Sequence, residues 1–162
     1  MKFKVVGKNE LKVDALGLAC GQPMFTDDIY IRNLLIGKIL PSPHPHARIK
    51  KIDKSQALKI PGVHCVLTWE DVPRIPFTTA GQGYPEPSAY DTFILDKKVR
   101  FVGDKVAAVA AESREIAETA LTKIKVEYEI LEPILDERKS MEKGAPVIHD
   151  EPEAKMIIPV PY

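Results

Sequence analysis

The chain has 162 residues, the size of one ordinary domain, and at that length it can bury roughly 70% of the surface its unfolded form exposes. Basic and acidic residues stand at 23 each, so no net field draws the protein to nucleic acid or to an anionic membrane, and any partner must be recognised locally. No apolar run approaches the roughly 20 residues that span a bilayer, and MKFKVVGKNELKVD lacks the apolar core and cleavage site of a signal peptide, so a cytoplasmic location is the expectation.

The first clear element is LLIGKIL, residues 34–40, a short apolar run closed by Pro41 that predicts a largely buried strand. After SPHPHARI, residues 42–49, Asp53 can cap a short helix running to Lys59, and Pro61-Gly62 stops it. VHCVL, residues 63–67, predicts the next strand, and Thr68 followed three residues later by Asp71 has the form of a cap on a one-turn helix. Residues 73–91 carry four prolines and two glycines with almost no period, which predicts a long exposed loop of the kind that contacts a ligand or partner.

Beyond the loop, residues 99–102 and 105–111 flank Gly103-Asp104, a two-residue turn signal that predicts an antiparallel hairpin. Ser113 caps a helix whose apolar residues Ile116, Ala117, Ala120, Leu121 and Ile124 share one face, suited to cover a sheet. IKVEYEIL, residues 124–131, then alternates at period two as a half-buried strand does, and Asp136 to Glu142 suit a short polar helix. The pattern is that of an α+β domain over residues 1–150, with a proline-rich tail at 151–162 that leads onward.

Candidate chemistry is sparse. His44 and His46 would project on one side of an extended strand, as a metal pair can, but no third ligand is evident and His64 and His149 lie in unlike contexts. Cys20 and Cys65 have no CxxC spacing and no base in a recognisable motif, so reduced thiols in core packing are expected. Gly81-Gln82-Gly83 is neither preceded by a strand nor followed by a helix, which disqualifies it as a phosphate loop, and GxSxG is absent. The residues alone therefore give no catalytic group and no metal site.

Five phrases in order carry a resemblance: GQPMFTDDI (21–29), LPSPHPHARIKKID (40–53), IPGVHCVLTWEDVP (60–73), KKVRFVGDKVAAVAAES (97–113) and VEYEILEPILD (126–136). Together they resemble the α/β-hammerhead domain that opens the molybdenum-binding subunit of xanthine dehydrogenases and aldehyde oxidases, from about Val13 to Asp150. The resemblance implies a mixed or antiparallel sheet covered by an amphipathic helix, and an enzyme that hydroxylates purines, related N-heterocycles or aldehydes with water as the oxygen source. It implies a molybdopterin-type cofactor, iron–sulfur clusters and FAD in the parent enzyme, held by segments that follow the hammerhead and are not present here. The expected partners are the remaining molybdenum-subunit domains and the iron–sulfur and FAD subunits or domains.

By the same resemblance the SPHPHARI histidines belong to the scaffold at a strand end, bonded locally around the turn. The loop before KVRFVGD approaches the mouth of the substrate channel, which singles out Tyr84, Glu86 and Tyr90 as contacts suited to a flat heterocycle. A loop packed on the parent enzyme without substrate contact is the competing expectation, and YPEPS inclines the resemblance toward purine-type members. A module that acts alone in binding or assembly, pairing with a separate catalytic subunit, is the alternative for the whole chain.

Overall fold

The chain divides after Leu34 into two units, and the computed structural model describes residues 4–79, 89–150 and 152. The first unit holds one five-residue helix, α1 (Ala15–Ala19), and a 3-10 turn at Thr26–Asp28 where the Phe25 amide donates to the Asp28 carboxylate at 2.9 Å. This division falls inside the 1–150 stretch that the sequence suggested as one domain.

Among the described residues the second unit contains six strands and one longer helix. In chain order these are β1 (Ile36–Pro41), β2 (Ala47–Asp53), β3 (Val63–Leu67), β4 (Lys98–Val99), β5 (Lys105–Ala111), α2 (Arg114–Lys123) and β6 (Lys125–Ile130). They form two antiparallel three-stranded sheets, ordered β1-β5-β3 and β4-β2-β6. The expected α+β architecture with antiparallel sheets and a covering helix is thus present, with the sheet split in two.

Alanine is a poor strand former, yet β5 is KVAAVAA and stands at the centre of its sheet. Burial explains it. Ala107, Val109 and Ala111 face one way and meet Ala117 and Ala120 of α2 and Ile124 just after it, and the small side chains on both surfaces let helix and sheet approach closely. Val106, on the opposite face, joins Ala47, Ile49 and Val99 in a second cluster, while Leu40, Ile52 and Val126 pack against both. The Ser113 hydroxyl accepts from the Ile116 amide at 3.3 Å, so the predicted helix begins where its cap required.

The predicted hairpin does not form. β4 pairs with β2 and not with β5, and the Phe101 to Asp104 turn carries the chain from one sheet to the other. The Asp104 carboxylate accepts from the Arg100 amide at 3.0 Å and the Lys105 amide at 2.8 Å, which satisfies donors that a hairpin ladder would have used. Two further expectations shorten. Asp53 accepts from the Ser55 amide, but only a 3-10 turn at Ala57–Lys59 follows, and Asp71 bonds back to the Thr68 amide in a turn with no helix after it. The polar helix beyond Asp136 is likewise a 3-10 turn, Glu137–Met141. Cys65 is partly buried, but Cys20 is exposed, against the expectation of core packing.

Candidate functional site

Residues 42–46 of the SPHPHARI segment form a turn between the two sheets, and Ala47 to Ile49 begin β2. Ser42 accepts from the His44 amide at 3.1 Å and donates to its carbonyl at 2.9 Å, while its own backbone exchanges 2.8 Å bonds with Gly103 and Asp104 of the sheet-to-sheet turn. His46 is buried, and Nδ1 donates to the Glu132 carbonyl at 2.7 Å, which fixes the tautomer. Its partner therefore lies far along the chain and not within the turn. The His44 ring meets Tyr128 edge-on at 4.8 Å, with burial raising the Tyr128 phenol above its ordinary value. Among the described residues no group of three His, Cys, Asp or Glu side chains could hold a metal ion.

Of the three loop residues, Tyr84 and Glu86 lie outside the described residues. Tyr90 is described and half-buried, one position before Asp91, whose carboxylate accepts from the Thr92 hydroxyl at 3.1 Å. The stems of the loop meet where Phe77 and Thr92 exchange backbone hydrogen bonds of 2.9 and 3.1 Å.

Beneath those stems lies a cluster that sequence reasoning missed. Phe93 is buried with the Arg74 guanidinium 4.0 Å from its ring centre and that of Arg100 at 5.7 Å. Buried Asp96 accepts from Arg100 Nη2 at 2.8 Å, Arg74 Nε at 3.2 Å and the Lys97 amide at 2.9 Å. Arg74 comes from the upstream stem and the other three from the downstream one, so the cluster ties both ends of the loop to one place. The signal available in the sequence was the i, i+4 spacing of Asp96 and Arg100 on either side of Lys98-Val99.

Several clefts adjoin the cluster, and two of them bring further charged groups to it. One, of about 270 Å³, is lined in part by Thr79, Asp91, Phe93, Arg100, Asp104 and His149. Burial, and then the positive charge of Arg100, hold the His149 imidazole below its usual value, while Asp91 pulls the other way. The other, of about 470 Å³, includes Arg48, Lys98 and Asp150. There the buried Lys98 ammonium donates to Asp150 at 2.8 Å and Arg48 lies 3.4 Å from the second carboxylate oxygen. The Lys98 hydrogen bond is the main cause of an Asp150 carboxyl below the usual range.

The α2-on-sheet core and the two-sheet handover can be set beside known proteins. The family described as aldehyde oxidase and xanthine dehydrogenase, a/b hammerhead domain, matches residues 20–132. The chain belongs to this family. This hammerhead chain is 45% identical over 150 residues to the "Probable hypoxanthine oxidase XdhD" of Escherichia coli K12, covering 93% of itself and 16% of that protein. It is 35% identical over 148 residues to the "Nicotinate dehydrogenase large molybdopterin subunit" of Eubacterium barkeri, covering 91% of itself and 33% of the relative. Among solved structures, the aldehyde oxidoreductase of Desulfovibrio gigas superposes with a TM-score of 0.74 at 31% identity, over 85% of this chain and 16% of that one. The hammerhead chain thus spans a sixth to a third of the length of these relatives.

The described residues do not fit a molybdenum–pterin group. They offer no metal-ligating cluster, and the buried cations Lys98 and Arg100 are engaged by Asp150 and Asp96. No helix among them is long and apolar enough to cross a membrane.

Proposed function

We propose that this chain is the hammerhead part of a molybdenum hydroxylase acting on purines or related N-heterocycles, to which it supplies scaffold and channel-mouth surface. The observation that carries the reading is the 45% identity, over nearly the whole chain, to a relative named as a hypoxanthine oxidase. Oxidation itself belongs to the rest of the parent enzyme, where the molybdopterin, the iron–sulfur clusters and FAD would be held. The partners are accordingly the remaining molybdenum-subunit domains and the electron-transfer subunits or domains.

Within that reading the chain's own contribution is positional. The Phe93–Arg74–Arg100–Asp96 cluster holds the loop stems, and Tyr84, Glu86 and Tyr90 meet substrate at the channel mouth. Aromatic faces stack on a flat ring while the carboxylate accepts from ring N–H groups.

The test is reconstitution. The full chain is co-expressed with the large chain of the E. coli relative from which the matched stretch has been removed, and hypoxanthine oxidation and molybdenum content are followed. Activity is expected only when both are present, with Tyr84→Ala and Glu86→Ala raising KM more than they lower kcat. Failure of the two pieces to associate or to restore turnover overturns the reading.

A further inference from the structure

Residues 145–150 lie outside every helix and strand, and among the described residues no side chain beyond Ile124, Val126 and Tyr128 joins either apolar core. Charge holds the end of this segment in place. The Lys98 side chain, only 7% exposed, donates to the Asp150 carboxylate at 2.8 Å and to the Val147 carbonyl at 3.4 Å, so one ammonium fixes both ends of residues 147–150. Arg48, 3.4 Å from the other Asp150 oxygen and half exposed, adds less. The Asp150 carboxylate is 45% open to water. A strap fastened in this way opens more readily than sheets that rest on buried apolar contacts.

The strap lies across the cluster that ties the loop stems together. Successive side chains enter different clefts: His149 lines the one of about 270 Å³ and Asp150 the one of about 470 Å³, while Asp96 lines both. Thr79, Asp91 and Thr92, from the two stems, share the smaller cleft with His149. A continuous run of hydrogen bonds also joins strap to stem. Lys98 holds Asp150, Arg100 Nη1 donates to the Lys98 carbonyl at 3.0 Å, Arg100 Nη2 donates to Asp96 at 2.8 Å, and Arg74 Nε of the upstream stem donates to Asp96 at 3.2 Å. Without Asp150 the buried Lys98 ammonium is uncompensated and turns toward water, which disturbs the carbonyl that holds Arg100.

We propose that residues 147–150 are a latch on the stems of the 73–91 loop, fastened by Asp150 on Lys98, and that its release loosens those stems while both sheets stay folded. Its use, to set how firmly Tyr84, Glu86 and Tyr90 are presented at the channel mouth, rests on the hammerhead reading above. The latch itself is tested on this chain alone, so either can fail without the other.

The experiment compares the full chain with Asp150→Ala and Lys98→Met by NMR. It follows the His149 ring through a pH titration, and amide exchange at Phe77 and Thr92, which pair across the stems. Burial first and the Arg100 charge next hold the His149 midpoint below 6.5, with Lys98 adding to them and Asp91 and Asp104 opposing. Loss of the Asp150 charge by itself lowers that midpoint further, because a nearby anion favours the imidazolium. Release of the strap moves His149 into water and raises the midpoint toward 6.5, so the sign separates the two effects. In Asp150→Ala the midpoint is expected to rise and exchange at Phe77 and Thr92 to quicken about 10-fold. Lys98→Met, which keeps a buried aliphatic stem, should quicken the same two amides, with β5 amides unchanged in both variants. A midpoint in Asp150→Ala that falls or stays, or stem exchange at the wild-type rate in either variant, overturns the latch. Equal quickening of β5 shows that the pair supports the whole fold, and overturns it too.

Discussion

Replacing Asp71 with asparagine tests how charge at the end of β3 supports the fold. One oxygen of this carboxylate accepts from the Thr68 amide at 2.7 Å, from the Thr68 hydroxyl at 2.8 Å and from Lys54, whose ammonium also reaches the Val66 carbonyl at 3.2 Å. Lys54 first, and then Thr68, hold the carboxyl at about 2, against an ordinary 3.8. At about 1.4 kcal/mol per unit, that gap is worth roughly 2.5 kcal/mol unscreened. Close to a third of each side chain faces solvent, which reduces the figure to roughly 1–1.5 kcal/mol. Because the folded value lies below the unfolded one, the contribution is complete above pH 3.8 and is lost as pH falls through about 2. Urea unfolding followed by circular dichroism should therefore show Asp71→Asn less stable by roughly 1–1.5 kcal/mol at pH 7, shrinking to about a third of that near pH 2.5. An equal difference at both pH values, or none at pH 7, would refute the reasoning.

The remaining predictions concern packing and turns. Ala120→Leu inserts bulk where helix and sheet meet alanine to alanine, and should cost roughly 1–3 kcal/mol in the same urea assay. Gly62 has φ +86°, and an added Cβ would lie 2.8 Å from the Ile116 methyl, whereas Gly103 has φ +96° in open space. Gly62→Ala should thus lower Tm more than Gly103→Ala, which meets only the backbone penalty of about 1–2 kcal/mol. His46→Leu leaves the Glu132 carbonyl without its donor and should cost roughly 1–3 kcal/mol, while added zinc leaves the wild-type Tm unchanged.

The elements with a local cause were legible in the sequence. Ser113 announces α2 because a cap needs only its own neighbours, and the alternation of KVEYEI places β6 because a half-buried strand writes its two faces into the chain. The failed hairpin shows the limit. Gly103-Asp104 does turn the chain, but whether the flanking residues pair with each other depends on β2 and β1, which lie far away in sequence, and on an aspartate that takes both nearby amides. The site divides in the same way. His46 could be set aside as a ligand for want of companions, yet its bond to Glu132 was invisible because 86 positions separate the two. The Asp96 cluster was hidden because it joins residues on both sides of a long loop, and nothing local marks Arg74 as the partner of Phe93.

The central place of β5 has a consequence in time. Among the described residues β1 and β3 have no neighbour in their sheet other than β5, and β6, the main partner of β2, lies later still. A nascent chain emerging from the ribosome therefore holds no complete sheet until Ala111 is out, and β2 waits for Lys125–Ile130. Pairings so distant place such a domain among slow folders, in milliseconds to seconds, and leave Ile36–Pro41 and Val63–Leu67 as solitary edges throughout that interval. Synthesis of this protein should depend on shielding of those two strands more than on any property of the finished fold.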